Sequence, residues 1–328
     1  MPDWLLLLIG LGLLVGGAEA LVRGASRLAA SLGVRPLVIG LTVVGFGTST
    51  PEVVVSALAS AQGEPAIALG NVLGSNIANS GLILAIAALI LPMRCDLVLL
   101  RREAPIMLLV SLLVWMQAWT GSVTRLQGLL MLATLGVFVW VSLRWARAEA
   151  PAIEAEFKEF EVDRGWLPED FARSKRKLRR TRMQHAMWIT VGIVLLVAGG
   201  HLLVESATAL AHRFGVPDIV IAATLIAVGT SLPELATSVV AALRREADIS
   251  VGNIIGSNIF NLLGVLGLSA AIRPVLVPPA VRDFELLWVV AFAAATALVL
   301  RTGHKITRIE GGVLLAAYAV FLFLLLRS

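Results

Sequence analysis

The stretch GTSTPE at Gly47–Glu52 decides the reading of this chain, because it recurs as GTSLPE at Gly229–Glu234. Each copy is followed, after the same spacing, by a second motif: GNVLGSNIAN at Gly70–Asn79 and GNIIGSNIFN at Gly252–Asn261. Both motifs repeat at an offset of 182 positions without a gap. The shared residues are Gly, Pro, Ser, Thr, Asn and Glu rather than interchangeable aliphatic residues. The repeat therefore preserves polar and conformationally special side chains as well as the hydropathy pattern.

The composition indicates a membrane protein. The chain has 328 residues, of which 58% are hydrophobic, and its mean hydropathy is +0.88. One soluble core cannot bury that much apolar surface, so the lipid bilayer must be the solvent. The net charge of +5 is therefore no sign of nucleic acid. We expect the lipid bilayer as surroundings, no nucleic-acid partner and no obligatory protein partner, and the single cysteine excludes an intramolecular disulfide.

Apolar runs long enough to cross about 30 Å of hydrocarbon occur in two sets of five. They lie near 4–30, 36–60, 66–91, 104–119 and 125–145, then near 185–212, 218–242, 248–272, 285–301 and 306–327. The first run lacks the positively charged N-terminal region of a cleaved signal peptide, so we interpret it as the first helix. The sequence predicts an all-α integral membrane protein with ten transmembrane helices. One five-helix repeat covers 1–146 with motif 47–79, a charged connector covers 147–184, and a second repeat covers 185–328 with motif 229–261.

An odd number of spans per repeat predicts that the two repeats are inverted in the membrane. Lys and Arg accumulate on the cytoplasmic side of short loops. With the N-terminus outside, the outer face keeps only five of the 27 basic residues, Arg125, Arg213, Arg273, Arg282 and Arg327. We therefore expect the plasma (inner) membrane, with both termini outside and the 147–184 loop cytoplasmic. The basic run 173–182 is explained by this topology, although binding to lipid headgroups or to a regulatory partner stays open.

Glu52 and Glu234 each put a carboxylate inside an apolar helix. An ionised carboxylate there costs roughly 2.5–3.5 kcal/mol on insertion scales. Neither motif contains Arg or Lys that would neutralise it, and a protonated glutamate that donates one hydrogen bond is the alternative. Two glutamates at matching positions of inverted repeats favour a shared cation near the midplane, where transporters of this construction bind their substrates.

A proline precedes each glutamate, at Pro51 and Pro233. Proline has no N–H, so the carbonyl groups of Gly47 and Gly229 lose their helical partner. Irregular backbone at membrane depth is tolerated only where protein or a water-filled cavity surrounds it. Hydroxyl groups stand four residues before each glutamate, on the same helix face, and next to that position: Thr48, Thr230, Ser49 and Ser231.

The second motif adds hydroxyl and amide side chains at i, i+4 spacing, Ser75 with Asn79 and Ser257 with Asn261. Its glycines recur every four residues, which lets helices approach closely. The other asparagines are predicted to hold the shape of the site: Asn71, Asn76, Asn253 and Asn258. The donors are all oxygen, without His or Cys, and suit Na⁺, Ca²⁺ or Mg²⁺. Calcium fits better than magnesium because it takes about six to eight oxygens in a flexible shell.

The doubled GTSxPE and GNxxGSNIxN motifs resemble the two α-repeats of the sodium/calcium exchanger family, within the cation/calcium antiporters, and its prokaryotic members in particular. The resemblance covers nearly the whole chain. It implies a rigid core of the second, third, seventh and eighth helices, across which the first and sixth helices slide. It also implies alternating access with about three Na⁺ exchanged for one Ca²⁺. Both ions are cargo, and no cofactor is expected.

Carried over by position, the resemblance implies that Glu52, Glu234 and the backbone oxygens of Thr48 and Thr230 bind calcium. Sodium would share the carboxylates and add Ser49, Ser75, Ser231 and Ser257, with the carbonyl groups of Gly45 and Ala227. Asn79 and Asn261 would line the central position. Several relatives, including potassium-dependent exchangers, have Asp where this chain has Asn261. This departure argues against potassium coupling and leaves the stoichiometry and the proton sensitivity open.

Three rival functions remain for comparison. A cation/proton antiporter on the same scaffold is the nearest, and it differs in whether a pH gradient replaces Na⁺ as the driving force. An intramembrane enzyme would need a nucleophile with a base, or a metal held by His. The motifs contain neither, so we predict no enzymatic activity. A passive channel would show no counter-transport.

Overall fold

The computed structural model describes residues 3–94, 102–162, 171–213, 229–301 and 305–327. Its first half is a series of helices that includes two π-helical segments, π1 and π2. These elements are α1 (Asp3–Leu32), α2 (Pro36–Ile39), π1 (Gly40–Val44), α3 (Gly45–Thr48), α4 (Thr50–Gln62), α5 (Pro65–Ala78), π2 (Asn79–Ile83), α6 (Leu84–Ile90), α7 (Ala104–Ala118) and α8 (Arg125–Val162).

The described elements of the second half follow a similar order. It contains α9 (Phe171–Arg213), α10 (Leu232–Leu243), α11 (Ala247–Phe260), π3 (Asn261–Val265), α12 (Leu266–Ile272), α13 (Pro279–Asp283), α14 (Glu285–Arg301) and α15 (Arg308–Leu325). The boundaries of α5, π2 and α6 recur in α11, π3 and α12 at the offset of the sequence motifs. The internal sequence repeat is therefore also a repeat of local structure, down to the π-helical segments.

Four strands of two residues each join the halves: β1 (Met93–Arg94), β2 (Ser122–Val123), β3 (Val275–Leu276) and β4 (Lys305–Ile306). β1 pairs with β4 and β2 pairs with β3, both antiparallel. Each ladder thus takes one strand from each half. The sequence analysis did not predict these strands, but they are so short that the described fold remains helical.

Seven described helices are long and apolar enough to cross a membrane. The bent pair Pro36–Thr48 and Thr50–Gln62 would make an eighth, and Ala104–Ala118 and Leu232–Leu243 are apolar but shorter. The predicted seventh span, 218–242, begins at residues outside the described part of the chain. The described structure is therefore that of an integral membrane protein built of helices.

The helices on either side of the connector extend further than the predicted spans 125–145 and 185–212. α8 continues to Val162, and α9 begins at Phe171. The described parts of the 147–184 connector are therefore helical.

Each proline motif has a non-helical serine three positions before its glutamate. Ser49 has φ −79° and ψ 7° and ends α3, and Ser231 has the similar values of φ −88° and ψ 6° directly before α10. Pro51 and Pro233 then occupy the first turn of α4 and α10, where the missing N–H costs no hydrogen bond. The segment Pro36–Thr48 meets α4 at an angle of 44°.

Two helical spans, α5–α6 and α11–α12, form the buried centre of the described structure. Their spans, Pro65–Ile90 and Ala247–Ile272, are 72% and 83% buried, whereas the other candidate spans are 22–39% buried. The outer helices therefore face lipid over much of their surface. The large apolar side chains that they expose, such as Leu129 and Trp140, are the side chains expected at a lipid-facing surface.

The outer helices α1 and α9 pack closely against each other through glycine. A Cβ at Gly17 would lie 2.8 Å from the backbone nitrogen of Leu196, and one at Gly24 would lie 3.0 Å from that of Ile189. The contact partner moves backward along α9 as the position moves forward along α1. The two helices are therefore antiparallel.

Candidate cation-binding site

The carboxyl groups of Glu52 and Glu234 lie in one buried site, and both side chains are 0% exposed. Ser49 Oγ donates to Glu234 Oε1 at 3.0 Å, and Ser231 Oγ donates to Glu52 Oε1 at 3.4 Å. Each glutamate is thus bonded by the serine that precedes the other motif's proline. Ser75 Oγ adds a second donor to Glu52 Oε1 at 3.4 Å. The two halves of the chain therefore build a single site.

No described cationic side chain neutralises these two carboxylates. The ion pairs in the described ranges involve other acids, for example Glu19 with Arg23 at 2.6 Å. The Oε2 atoms of Glu52 and Glu234 also have no hydrogen-bond partner among the described residues. An unpartnered buried charge is costly. Each carboxylate therefore needs a bound cation or a proton.

Hydrogen-bonded chains of Thr, Asn and Ser support the site symmetrically. Thr48 Oγ1 donates to Asn253 Oδ1 at 3.0 Å, and Asn253 Nδ2 donates to Ser238 Oγ at 3.1 Å. The equivalent chain runs from Thr230 Oγ1 to Asn71 Oδ1 at 3.2 Å and from Asn71 Nδ2 to the hydroxyl of Ser56 at 2.9 Å. Both chains cross between the halves. The threonine hydroxyls therefore join the interrupted helices to α5 and α11.

Among the remaining predicted ligands, Ser257 and Gly45 are in contact, Asn79 and Asn261 are buried, and one residue lies outside the described part of the chain. Ser257 Oγ donates to the carbonyl oxygen of Gly45 at 3.3 Å, so two predicted sodium ligands from opposite halves are adjacent. Asn79 and Asn261 are 0% exposed. Asn79 Oδ1 and both amide atoms of Asn261 lack hydrogen-bond partners in the part of the chain that is described. Ala227 lies outside it.

Three of the other motif asparagines join the two halves of the chain, and one does not. Asn71, Asn253 and Asn258 bond to groups of the opposite half. Asn76 instead donates to the carbonyl oxygen of Val72 in its own helix at 2.7 Å, because its amide turns back along α5. It does not bond to either interrupted helix within the described ranges.

The site offers two carboxylates and otherwise neutral oxygen atoms. Within the described ranges no group of three or more His, Cys, Asp or Glu side chains could hold a metal ion. Hydroxyl, amide and carbonyl oxygens must therefore complete any coordination shell. Such a donor set suits hard cations such as Na⁺ and Ca²⁺ and does not suit zinc or copper.

Sequence reasoning missed the hydroxyls of Ser56 and Ser238, although a signal was available. Both stand four residues after a glutamate and are identical in the two copies. It also missed the π-helical segments that begin at Asn79 and Asn261. Such segments often occur at functional sites. One extra residue in a helical turn leaves no trace in hydropathy, so the sequence carried no signal for them.

This fold and this site define a class: an integral membrane protein with a buried, oxygen-lined cation site between its two halves. The family described as "Sodium/calcium exchanger protein" matches residues 3–144 and 185–327. The inner membrane protein YrbG of Escherichia coli is 38% identical over 296 residues, 88% of this chain and 86% of that protein. The sodium/calcium exchanger MaX1 of Methanosarcina acetivorans is 35% identical over 346 residues, 98% of each chain.

A solved structure of the sodium-calcium exchanger NCX_Mj has the same fold. The TM-score is 0.81 at 28% sequence identity, over 97% of this chain and 96% of that chain. The chain therefore belongs to the sodium/calcium exchanger family. It is a membrane transporter of the cation/Ca²⁺ antiporter type and not an enzyme, which confirms the family expected from the motifs.

Proposed function

We propose that this protein exchanges Na⁺ for Ca²⁺ by alternating access, with about three Na⁺ for each Ca²⁺. The observation that carries the proposal is the pair of fully buried glutamates, Glu52 and Glu234, linked reciprocally through Ser231 and Ser49. No described cationic side chain balances them, so the balancing charge has to come from the transported ions.

Charge balance explains the coupling. Two ionised glutamates carry two negative charges, which one Ca²⁺ balances and three Na⁺ exceed by one. An empty ionised site is costly in a low-dielectric environment. The site therefore changes its access from one side of the membrane to the other when ions are bound. Each cycle then moves one net charge, and a potential of 100 mV contributes about 2.3 kcal/mol for that charge. Exchange is therefore electrogenic.

The ligand set we propose is the one that the motifs predict. Ca²⁺ binds to Glu52, Glu234 and the backbone oxygens of Thr48 and Thr230. Na⁺ shares the carboxylates and uses the remaining groups, Ser49, Ser75, Ser231, Ser257 and the carbonyl groups of Gly45 and Ala227. Asn79 and Asn261 line the central position. Full burial of the two glutamates and the contact of Ser257 with Gly45 support this assignment.

The architecture we propose is ten spans in two inverted five-helix repeats. The seven candidate spans, the bent pair and the two shorter apolar helices add up to ten. Antiparallel packing of the equivalent helices α1 and α9 supports inversion, as does the reciprocal pairing of the short strands. The distribution of Lys and Arg favours both termini outside and the 147–184 connector in the cytoplasm.

A cation/proton antiporter is the second candidate. It is favoured by the same unbalanced carboxylates, since a proton on each glutamate would also remove the buried charge. In that case a pH gradient, rather than a Na⁺ gradient, would drive Ca²⁺ movement.

The deciding experiment is Ca²⁺ uptake into proteoliposomes. Vesicles loaded with Na⁺ and diluted into Na⁺-free medium should accumulate Ca²⁺, and a K⁺-diffusion potential should change the rate because one net charge moves per cycle. Equal uptake with a proton gradient and no Na⁺ would replace the first candidate by the second. Ca²⁺ entry without any counter-ion would indicate a channel.

Asn261→Asp is expected to change the cation dependence or the pH response of exchange. A third buried carboxylate adds charge that a proton or a further cation must balance. We expect the half-saturating Ca²⁺ concentration to shift by about tenfold between acidic and neutral pH, since about 1.4 kcal/mol is enough for that factor. The measurement is Ca²⁺ uptake against pH, with and without K⁺. Profiles identical to those of the unmodified protein would reject this role of Asn261.

A further inference from the structure

The amide group of Asn79 is oriented by a chain of hydrogen bonds that begins in the other half. Asn79 Nδ2 donates to Asn258 Oδ1 at 3.1 Å. Asn258 Nδ2 donates to Ser80 Oγ at 2.8 Å and lies 3.5 Å from Met107 Sδ. Asn258 is 3% exposed, and Asn79 and Ser80 are equally secluded from solvent at 0% and 1%.

The thioether of Met107 determines which way these amides point. A thioether sulfur accepts hydrogen bonds but cannot donate one. The atom of Asn258 near Met107 is therefore the amide nitrogen, and its oxygen faces Asn79. Asn79 must then turn its own nitrogen toward Asn258. Its Oδ1, which has no partner among the described residues, is the end left for a cation.

The equivalent groups of the other half form no such chain. Asn261 and Asn76 are the counterparts of Asn79 and Asn258 at the repeat offset, and Leu262 stands in the place of Ser80. Asn76 donates to the carbonyl oxygen of Val72 in its own helix. No described residue bonds either amide atom of Asn261. Within the described ranges, one central amide is therefore held in a single orientation, and its counterpart is not.

We propose that Asn258 is a positioning residue that presents the carbonyl oxygen of Asn79 to the divalent cation. This inference rests on the proposed function and adds Asn79, which lines the central position, to the proposed calcium ligands. An amide that is already oriented loses less rotamer entropy when an ion binds. The interaction between an ion and a fixed dipole scales with the charge of the ion, so Ca²⁺ gains about twice as much free energy as Na⁺. Asn258 therefore contributes to preference for the divalent ion.

The test compares Asn258→Leu with Asn76→Leu. Both positions are 3% exposed, and the chemical change is the same. Ca²⁺ and Na⁺ binding to the purified protein are measured by isothermal titration calorimetry. For Asn258→Leu we expect about a tenfold weaker Ca²⁺ affinity, which corresponds to about 1.4 kcal/mol, and only about a threefold weaker Na⁺ affinity because the dipole term scales with charge. For Asn76→Leu we expect both affinities to stay within about twofold of the unmodified protein. The reason is that Asn76 donates to Val72 of its own helix and does not orient Asn79.

Two milder variants keep the proposal testable if Asn258→Leu does not fold. Ser80→Ala removes the hydroxyl that accepts from Asn258 and should weaken Ca²⁺ binding more than Na⁺ binding, whereas Ser80→Thr keeps a hydroxyl and should restore it. Equal losses for both ions, or equal behaviour of the Asn258 and Asn76 variants, would overturn the positioning role. Unmodified protein that binds Ca²⁺ but shows no Na⁺-driven uptake would instead refute the proposed exchange, so the two failures are distinct.

Discussion

Glu52→Gln is expected to abolish Na⁺-driven Ca²⁺ uptake while the protein still folds. Glutamine keeps the shape and the hydrogen-bonding capacity of the side chain but removes one of the two charges that balance the cation. Removing one partner of a buried charge pair costs about 3–5 kcal/mol. Since about 1.4 kcal/mol changes an affinity tenfold, this cost corresponds to a loss of more than about a hundredfold in Ca²⁺ affinity. Glu234→Gln should behave in the same way, because each carboxylate accepts a hydrogen bond from a serine of the other half.

The measurement is Ca²⁺ uptake into proteoliposomes together with thermal unfolding in detergent. The unfolding temperature should stay the same or rise, since in the ion-free protein the variant no longer buries an unpartnered charge. Glu64→Gln is the matched control: Glu64 lies just before α5 and is exposed, so uptake should be unchanged. Near-normal uptake by either site variant would refute the assignment of both glutamates.

Gly256→Ala is expected to destabilise the protein strongly and to impair exchange. A Cβ at Gly256 would overlap the carbonyl oxygen of Leu41 and lie 2.8 Å from Leu41 Cα, so the backbone of π1 has to move. Overpacking of this kind costs about 1–3 kcal/mol, occasionally more. Ser257 is the next residue and bonds to Gly45 at 3.3 Å, so the shift reaches the cation site. Lower unfolding temperature and reduced uptake should therefore appear together.

The control is the same change at the equivalent position of the first half. Among the described residues, a Cβ at Gly74 would meet nothing within 4 Å. Alanine is also the better helix former, by about 0.8–1.0 kcal/mol. Gly74→Ala should consequently leave the unfolding temperature unchanged or raise it, with normal uptake. Equal effects of the two substitutions would show that the close approach of α11 to π1 does not decide stability.

Several features of the site were predictable because they depend on residue type and local spacing. A proline inside a helical pattern, such as Pro51, predicts an interruption of the helix from the residue type alone. A glutamate in an apolar run indicates a functional site in a membrane protein. The repeat offset alone paired Glu52 with Glu234. The chemistry of the candidate donors, all of them oxygen, predicted a hard cation before any geometry was known.

Pairing across the molecule was not predictable in this way. Ser49 bonds to the glutamate of the other half, and Asn258 orients Asn79 while Asn76 turns back on its own helix. Identical residues in the two motifs thus have different partners. The difference depends on which side chains surround each one, such as Ser80 against Leu262, and these neighbours come from helices far apart in the sequence.

The sequence by itself determined the membrane, the internal repeat, the interruption before each glutamate and the oxygen chemistry of the cation site, because hydropathy, proline geometry and ligand type act through the residue and its nearest neighbours. Only the tertiary structure decided which side chains bond across the two halves of the site, where π-helical turns occur and which glycine has no room for a methyl group. Those outcomes depend on the distance between packed helices, which no local pattern encodes.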